Sequence, residues 1–179
     1  DTLLLVLSAD HVIQDIPAFH DAINIASKQA LDGKLATFGI VPTDANIGYG
    51  YIKSLKESID GAHKVEKFVE KPNIKTAESY LKQGCYLWNS GMFIFKAGTL
   101  VDELVIHSPD IIKLVNDAVN KATQDLDFIR LEKPAFESSP NESIDYALME
   151  KSSNVMVVPL EAGWSDVGSW SALYDIGNK

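Results

Sequence analysis

Long apolar runs are missing from this chain. Nothing in it approaches the ~20 consecutive apolar residues that a membrane-spanning helix requires, which predicts a soluble protein. No basic segment precedes the first apolar stretch, and residues 3–7 are too few for the apolar core of a secretory signal. Cysteine is nearly absent. The single Cys85 cannot form an internal disulfide, which points to a reducing cytoplasm, and it is expected to pack rather than react. Basic residues are in deficit: 16 Lys and Arg against 25 Asp and Glu give a net charge of −9. That balance argues against a nucleic-acid partner or an anionic membrane, because both need a basic face. It leaves room for a small phosphorylated ligand held by a few local cations, a metal ion and backbone amides. Internal repeats, low-complexity tracts and linkers are also missing, so residues 1–179 are expected to form a single domain.

What is present reads as α/β. Residues 3–7 (Leu-Leu-Leu-Val-Leu) are five consecutive aliphatics, the pattern of a strand buried on both faces, and they open onto Ser8-Ala9-Asp10-His11. In open α/β sheets ligands lie beyond the carboxyl ends of such strands, so Asp10 sits where chemistry is expected. A helix is predicted over 17–31, with Pro17 in its first turn and Gly33 as its stop. A strand follows over 35–41, completing a βαβ unit. Further strands are expected over 64–70, 86–95 and 154–158, the second broken at Asn89-Ser90-Gly91. Asn73 and Ser108 are the expected caps of helices that begin after them, and Gly84 the end of the first. Short helices are predicted over 99–106 and 143–151, and residues 125–141 read as loop with helical turns. The chain starts directly at a core strand and carries no initiator Met, which suggests that earlier elements of the fold are missing.

Several short stretches mix glycine with charged or amide side chains at strand ends. Asp10 and Asp166 are hard oxygen ligands, and two loop carboxylates converging on one point favour a divalent cation between them. Asp166 also suits the cap of the helix that follows it. Glu70 can accept hydrogen bonds from sugar hydroxyls and Lys71 can hold a phosphate; Pro72 biases Lys71 to an extended backbone. Adjacent strand residues face opposite ways, so a kink is needed for both to reach one ligand, and an exposed charged strand end is the plainer alternative. Gly50 and Gly91 allow close backbone approach, and Asn89 offers both a donor and an acceptor. Tyr49, Tyr51, Trp88, Trp164 and Trp170 are candidates to stack on a sugar or base, although such residues are more often core.

Taken in order, Ser8-Ala9-Asp10-His11, residues 48–52 (Gly-Tyr-Gly-Tyr-Ile), 68–72 (Phe-Val-Glu-Lys-Pro), 88–93 (Trp-Asn-Ser-Gly-Met-Phe), 142–146 (Glu-Ser-Ile-Asp-Tyr) and 164–170 (Trp-Ser-Asp-Val-Gly-Ser-Trp) resemble the bacterial mannose-1-phosphate guanylyltransferases of the type often fused to a mannose-6-phosphate isomerase domain. The resemblance implies a Rossmann-like nucleotidyltransferase fold, a mixed and mainly parallel sheet flanked by helices, here truncated at the N-terminus. It implies the conversion of GTP and mannose 1-phosphate to GDP-mannose and pyrophosphate. By matching motifs, Asp10 and Asp166 would hold Mg²⁺ as the catalytic pair, Glu70 and Lys71 would contact mannose 1-phosphate, and Tyr49, Gly50, Asn89 and Gly91 would line the sugar pocket. The Gly-rich signature that cradles the triphosphate in this family is not found, and neither are the base-reading segments. The alternatives are the same chemistry on another sugar 1-phosphate, such as glucose 1-phosphate, or a sugar-phosphate-binding fragment that transfers nothing. Self-association into a homo-oligomer is left open.

Overall fold

A computed structural model describes residues 2–177, with only the backbone described at Asp175. The chain divides into two compact units, residues 1–97 with 153–179 and residues 98–152.

The first unit holds β1 (Leu3–Val6), α1 (Ile16–Leu31), β2 (Leu35–Ile40), β3 (Tyr51–Ile59), β4 (Ala62–Val69), α2 (Ile74–Gln83), β5 (Tyr86–Lys96), β8 (Val155–Leu160) and α6 (Trp170–Ile176). Its six strands lie in the order β1-β5-β2-β8-β4-β3, with a further pairing of β3 to β5. The circuit β5-β2-β8-β4-β3 therefore closes on itself. The sheet is mixed, as expected. Strands β1, β2, β3 and β8 point one way and β4 and β5 the other; β2–β8 is a parallel neighbour pair and β5 is antiparallel to each of its partners.

The core lies where β2 and β8 run through the middle of this sheet. Ala36, Phe38, Met156 and Val158 are buried on one face, where α1 covers them with Phe19, Ala22, Ala26 and Ala30, and Leu35, Val155 and Val157 are buried on the other. Asp15 caps α1 by accepting from the Ala18 N–H at 3.0 Å, and Pro17 occupies its first turn. The expected cap of α2 holds: Asn73 Oδ1 accepts from the Thr76 N–H at 3.0 Å, and Gly84 closes the helix at φ +66°.

Strand β1 corrects the reading of residues 3–7 as buried on both faces. Among the described residues β1 pairs with β5 alone and stands at an end of the sheet order, leaving Leu5, Val6 and Leu7 42–46% exposed. An unbroken aliphatic run is the pattern of a strand with neighbours on both sides, and β5 is the one partner of β1 among the described residues. Strand β5 is also not broken at Asn89-Ser90-Gly91. It runs through from Tyr86 to Lys96 with a bulge, for its register against β2 shifts between Thr37 and Gly39. Gly91 takes φ +68° there. The polar groups this exposes are satisfied internally: Ser90 Oγ donates to the Phe38 carbonyl at 2.7 Å and Thr37 Oγ1 to the Met92 carbonyl at 3.0 Å.

Gly39 lies against this bulge. A Cβ there would stand 2.6–2.7 Å from Leu87 Cδ1 and Cβ and from Val157 Cγ2, all of them anchored by strand backbone. Gly39→Ala is expected to cost about 1–3 kcal/mol of stability through overpacking, read as a lowered denaturation midpoint. An unchanged midpoint would show that β2 and β5 can separate freely.

The second unit contains most of α3 (Ala97–His107), then α4 (Pro109–Asn120), a small hairpin of β6 (Thr123–Asp125) and β7 (Phe128–Arg130), α5 (Lys133–Glu137) and a π-helical turn at Asp145–Met149. The hairpin replaces the first part of the loop expected over 125–141, and α5 is a short helical turn of the kind expected in the rest. Ser108 precedes α4 but does not cap it. Its buried hydroxyl instead donates to the Ala147 carbonyl at 2.7 Å. A tertiary acceptor has displaced the local one.

Candidate functional site

Three loops meet beside the ends of β1, β2 and β8. Residues 165 and 12 form an isolated antiparallel bridge, with Val12 N–H donating to the Ser165 carbonyl and Ser165 N–H to the Val12 carbonyl, both at 2.9 Å. Asp10 lies two residues before that bridge and Asp166 one residue after it, so the fold runs the two carboxylate segments side by side. Trp164 reinforces the junction. Its indole N–H donates to His11 Nδ1 at 3.2 Å, with the rings edge-on at 5.2 Å. Since an indole only donates, this bond requires an unprotonated Nδ1, which gives His11 a structural part.

Asp166 does not cap the helix after it. The cap of α6 is Ser169, whose Oγ accepts from the Ala172 N–H at 3.1 Å. Asp166 Oδ1 instead accepts from the Tyr49 hydroxyl at 2.9 Å and from the Gly168 N–H at 3.1 Å. The Tyr49 ring is held edge-on by Trp88 at 5.1 Å and by Trp164 at 5.4 Å. Burial, the hydrogen bond to Asp166 and the negative charges of Asp166 and Asp44 push the Tyr49 phenol up from 10.0 to about 12. Protonated Tyr49 therefore favours the folded state. That contribution is complete below pH 10 and is lost as pH rises towards 12. In an alkaline absorbance titration, the difference between the protein and its Tyr49→Phe variant is expected to show one phenol ionising near pH 12. A difference signal centred at pH 10 would mean that Tyr49 is not held as described.

One residue further on, Gly50 joins this loop to a second group of residues. Its carbonyl accepts from the Asn89 N–H at 2.8 Å. A Cβ on Gly50 would fall 2.5 Å from Glu70 Oε2 and 3.4 Å from Asn89 Cβ, so the missing side chain makes room for the Glu70 carboxylate. The kink at the end of β4 is real, and it corrects the extended backbone expected of Lys71. This residue takes φ +42° before Pro72, a left-handed conformation that costs a non-glycine residue about 1–2 kcal/mol. The turn brings Lys71 Nζ to 3.7 Å from Glu70 Oε1. On the bulge of β5, Asn89 Oδ1 accepts from the Gly91 N–H at 3.2 Å.

Thus Glu70, Lys71, Gly50 and Asn89 are gathered at one place and joined through Tyr49 to Asp166, while Asp10 arrives through the Val12–Ser165 bridge. A cavity of about 460 Å³ lies between the loops, lined by Gln14, Asp44, Asn46, Tyr49, Trp88 and Trp164 among others. A second, of about 350 Å³, opens beyond the ends of β2 and β8 and shares Thr43, Trp88, Gly163 and Trp164 with the first. Gln14, Thr43, Asp44 and Asn46 were not among the residues the sequence pointed to. They come from ordinary polar loop segments, and only their convergence marks them.

The whole of this site falls within the match to one family model, that of the nucleotidyl transferases, which covers residues 1–179. The chain belongs to the nucleotidyl transferase family. Mannose-1-phosphate guanylyltransferase RfbM of Salmonella typhimurium is 55% identical over 179 residues, which are 100% of this chain and 37% of that protein. Curated relatives extend well beyond the matched stretch: the chain spans 37–39% of the length of the first of them. Among solved structures, mannose-1-phosphate geranyltransferase from Thermus thermophilus superposes with a TM-score of 0.87 at 32% identity, covering 99% of this chain and 50% of that one. Mannose-6-phosphate isomerase from Helicobacter pylori gives 0.82 at 37% identity, covering 91% and 63%. The mixed α/β fold of this family member is thus shared with solved relatives.

Proposed function

We propose that this nucleotidyl transferase chain carries the sugar and metal side of a mannose-1-phosphate guanylyltransferase, which makes GDP-mannose and pyrophosphate from GTP and mannose 1-phosphate. The observation that carries the reading is the continuity of Tyr49 and Gly50. Tyr49 binds Asp166 and lines the cavity of about 460 Å³, and the next residue, Gly50, makes room for Glu70, so one loop joins Asp166, the cavity and the Glu70 carboxylate. The names of the relatives, guanylyltransferases of mannose 1-phosphate at 50–55% identity, support the choice of substrates.

Mg²⁺ suits the donors present. Among the described residues no cluster of three or more His, Cys, Asp or Glu side chains is placed to hold a metal ion. Two carboxylates, Asp10 and Asp166, fit an ion that takes one or two protein oxygens and completes its shell with water and substrate phosphates. When bound, the ion would neutralise charge developing on the phosphates. The chain's own residues do the rest by position. Glu70 accepts hydrogen bonds from mannose hydroxyls, the Lys71 ammonium holds the sugar phosphate as a point charge, and Asn89 and the backbone at Gly50 and Gly91 close the pocket. A phosphate oxygen of mannose 1-phosphate bonds to the α-phosphorus of GTP as the bond from that phosphorus to the bridging oxygen breaks and pyrophosphate leaves. No side-chain nucleophile is needed, and catalysis is orientation and electrostatics. The half-buried Cys85 suits a cytoplasmic setting.

The test is turnover by the full-length enzyme, followed as pyrophosphate release with each nucleoside triphosphate and each sugar 1-phosphate. GTP with mannose 1-phosphate is expected to lead. A preference for glucose 1-phosphate would remove the mannose reading, and no release with any pair would leave a binding protein.

A further inference from the structure

Asp166 lies in a stretch that is neither helix nor strand, followed by Val167 at φ +52°, so no regular backbone element fixes where its carboxylate points. Its orientation is set by contacts. Both donors that reach it, the Tyr49 hydroxyl at 2.9 Å and the Gly168 N–H at 3.1 Å, bind Oδ1, and among the described residues none binds Oδ2. Of the two, the Gly168 N–H belongs to the same loop and moves with it. Tyr49 does not. It comes from the loop before β3, its ring packs edge-on against Trp88 and Trp164, and Trp164 is itself tied to His11.

We propose that Tyr49 is a positioning residue for the acidic centre: its hydroxyl holds Asp166 Oδ1 so that Oδ2 is presented to the divalent cation. This rests on the reading of Asp166 as a metal ligand, and it gives Tyr49 a part other than lining the sugar pocket. An outer residue that orients a ligating carboxylate typically tunes metal affinity 10–100-fold. The ring and the hydroxyl have separable jobs. The ring packs the loop against two tryptophans, whereas the hydroxyl acts only on Asp166.

Tyr49→Phe keeps the ring and removes the hydroxyl. In the full-length enzyme with mannose 1-phosphate present, Mn²⁺ binding followed by electron paramagnetic resonance is expected to weaken about tenfold in this variant. The thermal midpoint and the KM for mannose 1-phosphate should stay near those of the parent, while kcat falls. Asp166→Asn, measured alongside, is expected to weaken Mn²⁺ at least as much. If Tyr49→Phe binds Mn²⁺ like the parent while Asp166→Asn does not, the positioning role is overturned and the metal reading stands. If the KM for mannose 1-phosphate rises with Mn²⁺ affinity unchanged, Tyr49 contacts the sugar instead. If neither substitution alters Mn²⁺ binding, or the parent binds none, the metal reading falls and this inference with it.

Discussion

Asp166→Asn in the full-length enzyme is expected to lower kcat by about a thousandfold, since losing an electrostatic interaction worth several kcal/mol in the transition state has an effect of that order. The folded protein should hardly notice. An asparagine oxygen can accept the same two hydrogen bonds that Asp166 Oδ1 takes from Tyr49 and Gly168. The helix that follows keeps its own cap, Ser169, whose hydroxyl accepts from Ala172. Stability should therefore change by less than about 1 kcal/mol, the weight of one neutral hydrogen bond. Steady-state kinetics and a melting curve together decide the matter. Retained turnover with a sharply lowered midpoint would make Asp166 a structural residue of its loop.

Gly50→Ala is expected to reduce kcat/KM for mannose 1-phosphate by about 10–100-fold, the scale of a misplacement near 1 Å at a positioned group. The added methyl meets Glu70 Oε2 at 2.5 Å, the far end of a flexible side chain, so the carboxylate swings away and the fold survives. This contrasts with Gly39, whose neighbours are strand-anchored side chains and whose substitution is felt as lost stability. The KM for GTP should stay level. A double-mutant cycle makes the cause explicit: in a Glu70→Ala background, Gly50→Ala should cost little more, because the group it displaces is already gone. Equal effects in both backgrounds would show that Glu70 is not what Gly50 accommodates.

Much of this arrangement was legible in the chain. The motifs at Asp10, Gly50, Glu70, Asn89 and Asp166 announced themselves because glycine, amide and carboxylate residues at strand ends serve packing poorly. Asn73 and Gly84 bounded their helix because caps are settled by local hydrogen bonds and by a left-handed backbone that glycine takes freely. The hairpin of β3 and β4 was readable but missed. Its turn, Asp60-Gly61, has φ of 52° and 88°, the pairing of residues that a two-residue hairpin favours. Ser108 shows the opposite limit. Serine before Pro109 is a local cap signal, yet a carbonyl at Ala147 took the hydroxyl, and no pattern near Ser108 reveals that.

The amino-acid sequence alone determined the α/β class, the principal helices and the positions at which polar chemistry interrupts the strands, because periodicity, caps and turns depend on near neighbours. Tertiary structure decided which of those positions belong together. Asp166 was a candidate cap for the helix after it, and only the tertiary structure shows that Ser169 caps that helix while Asp166 accepts from Tyr49, which arrives from the loop before β3. The aliphatic run at 3–7 does not say which strand it meets, and only the tertiary structure pairs β1 with β5. The reason is the same in each case. A side chain's partners are chosen by strand order and loop convergence, and those depend on residues too distant along the chain to leave a local trace.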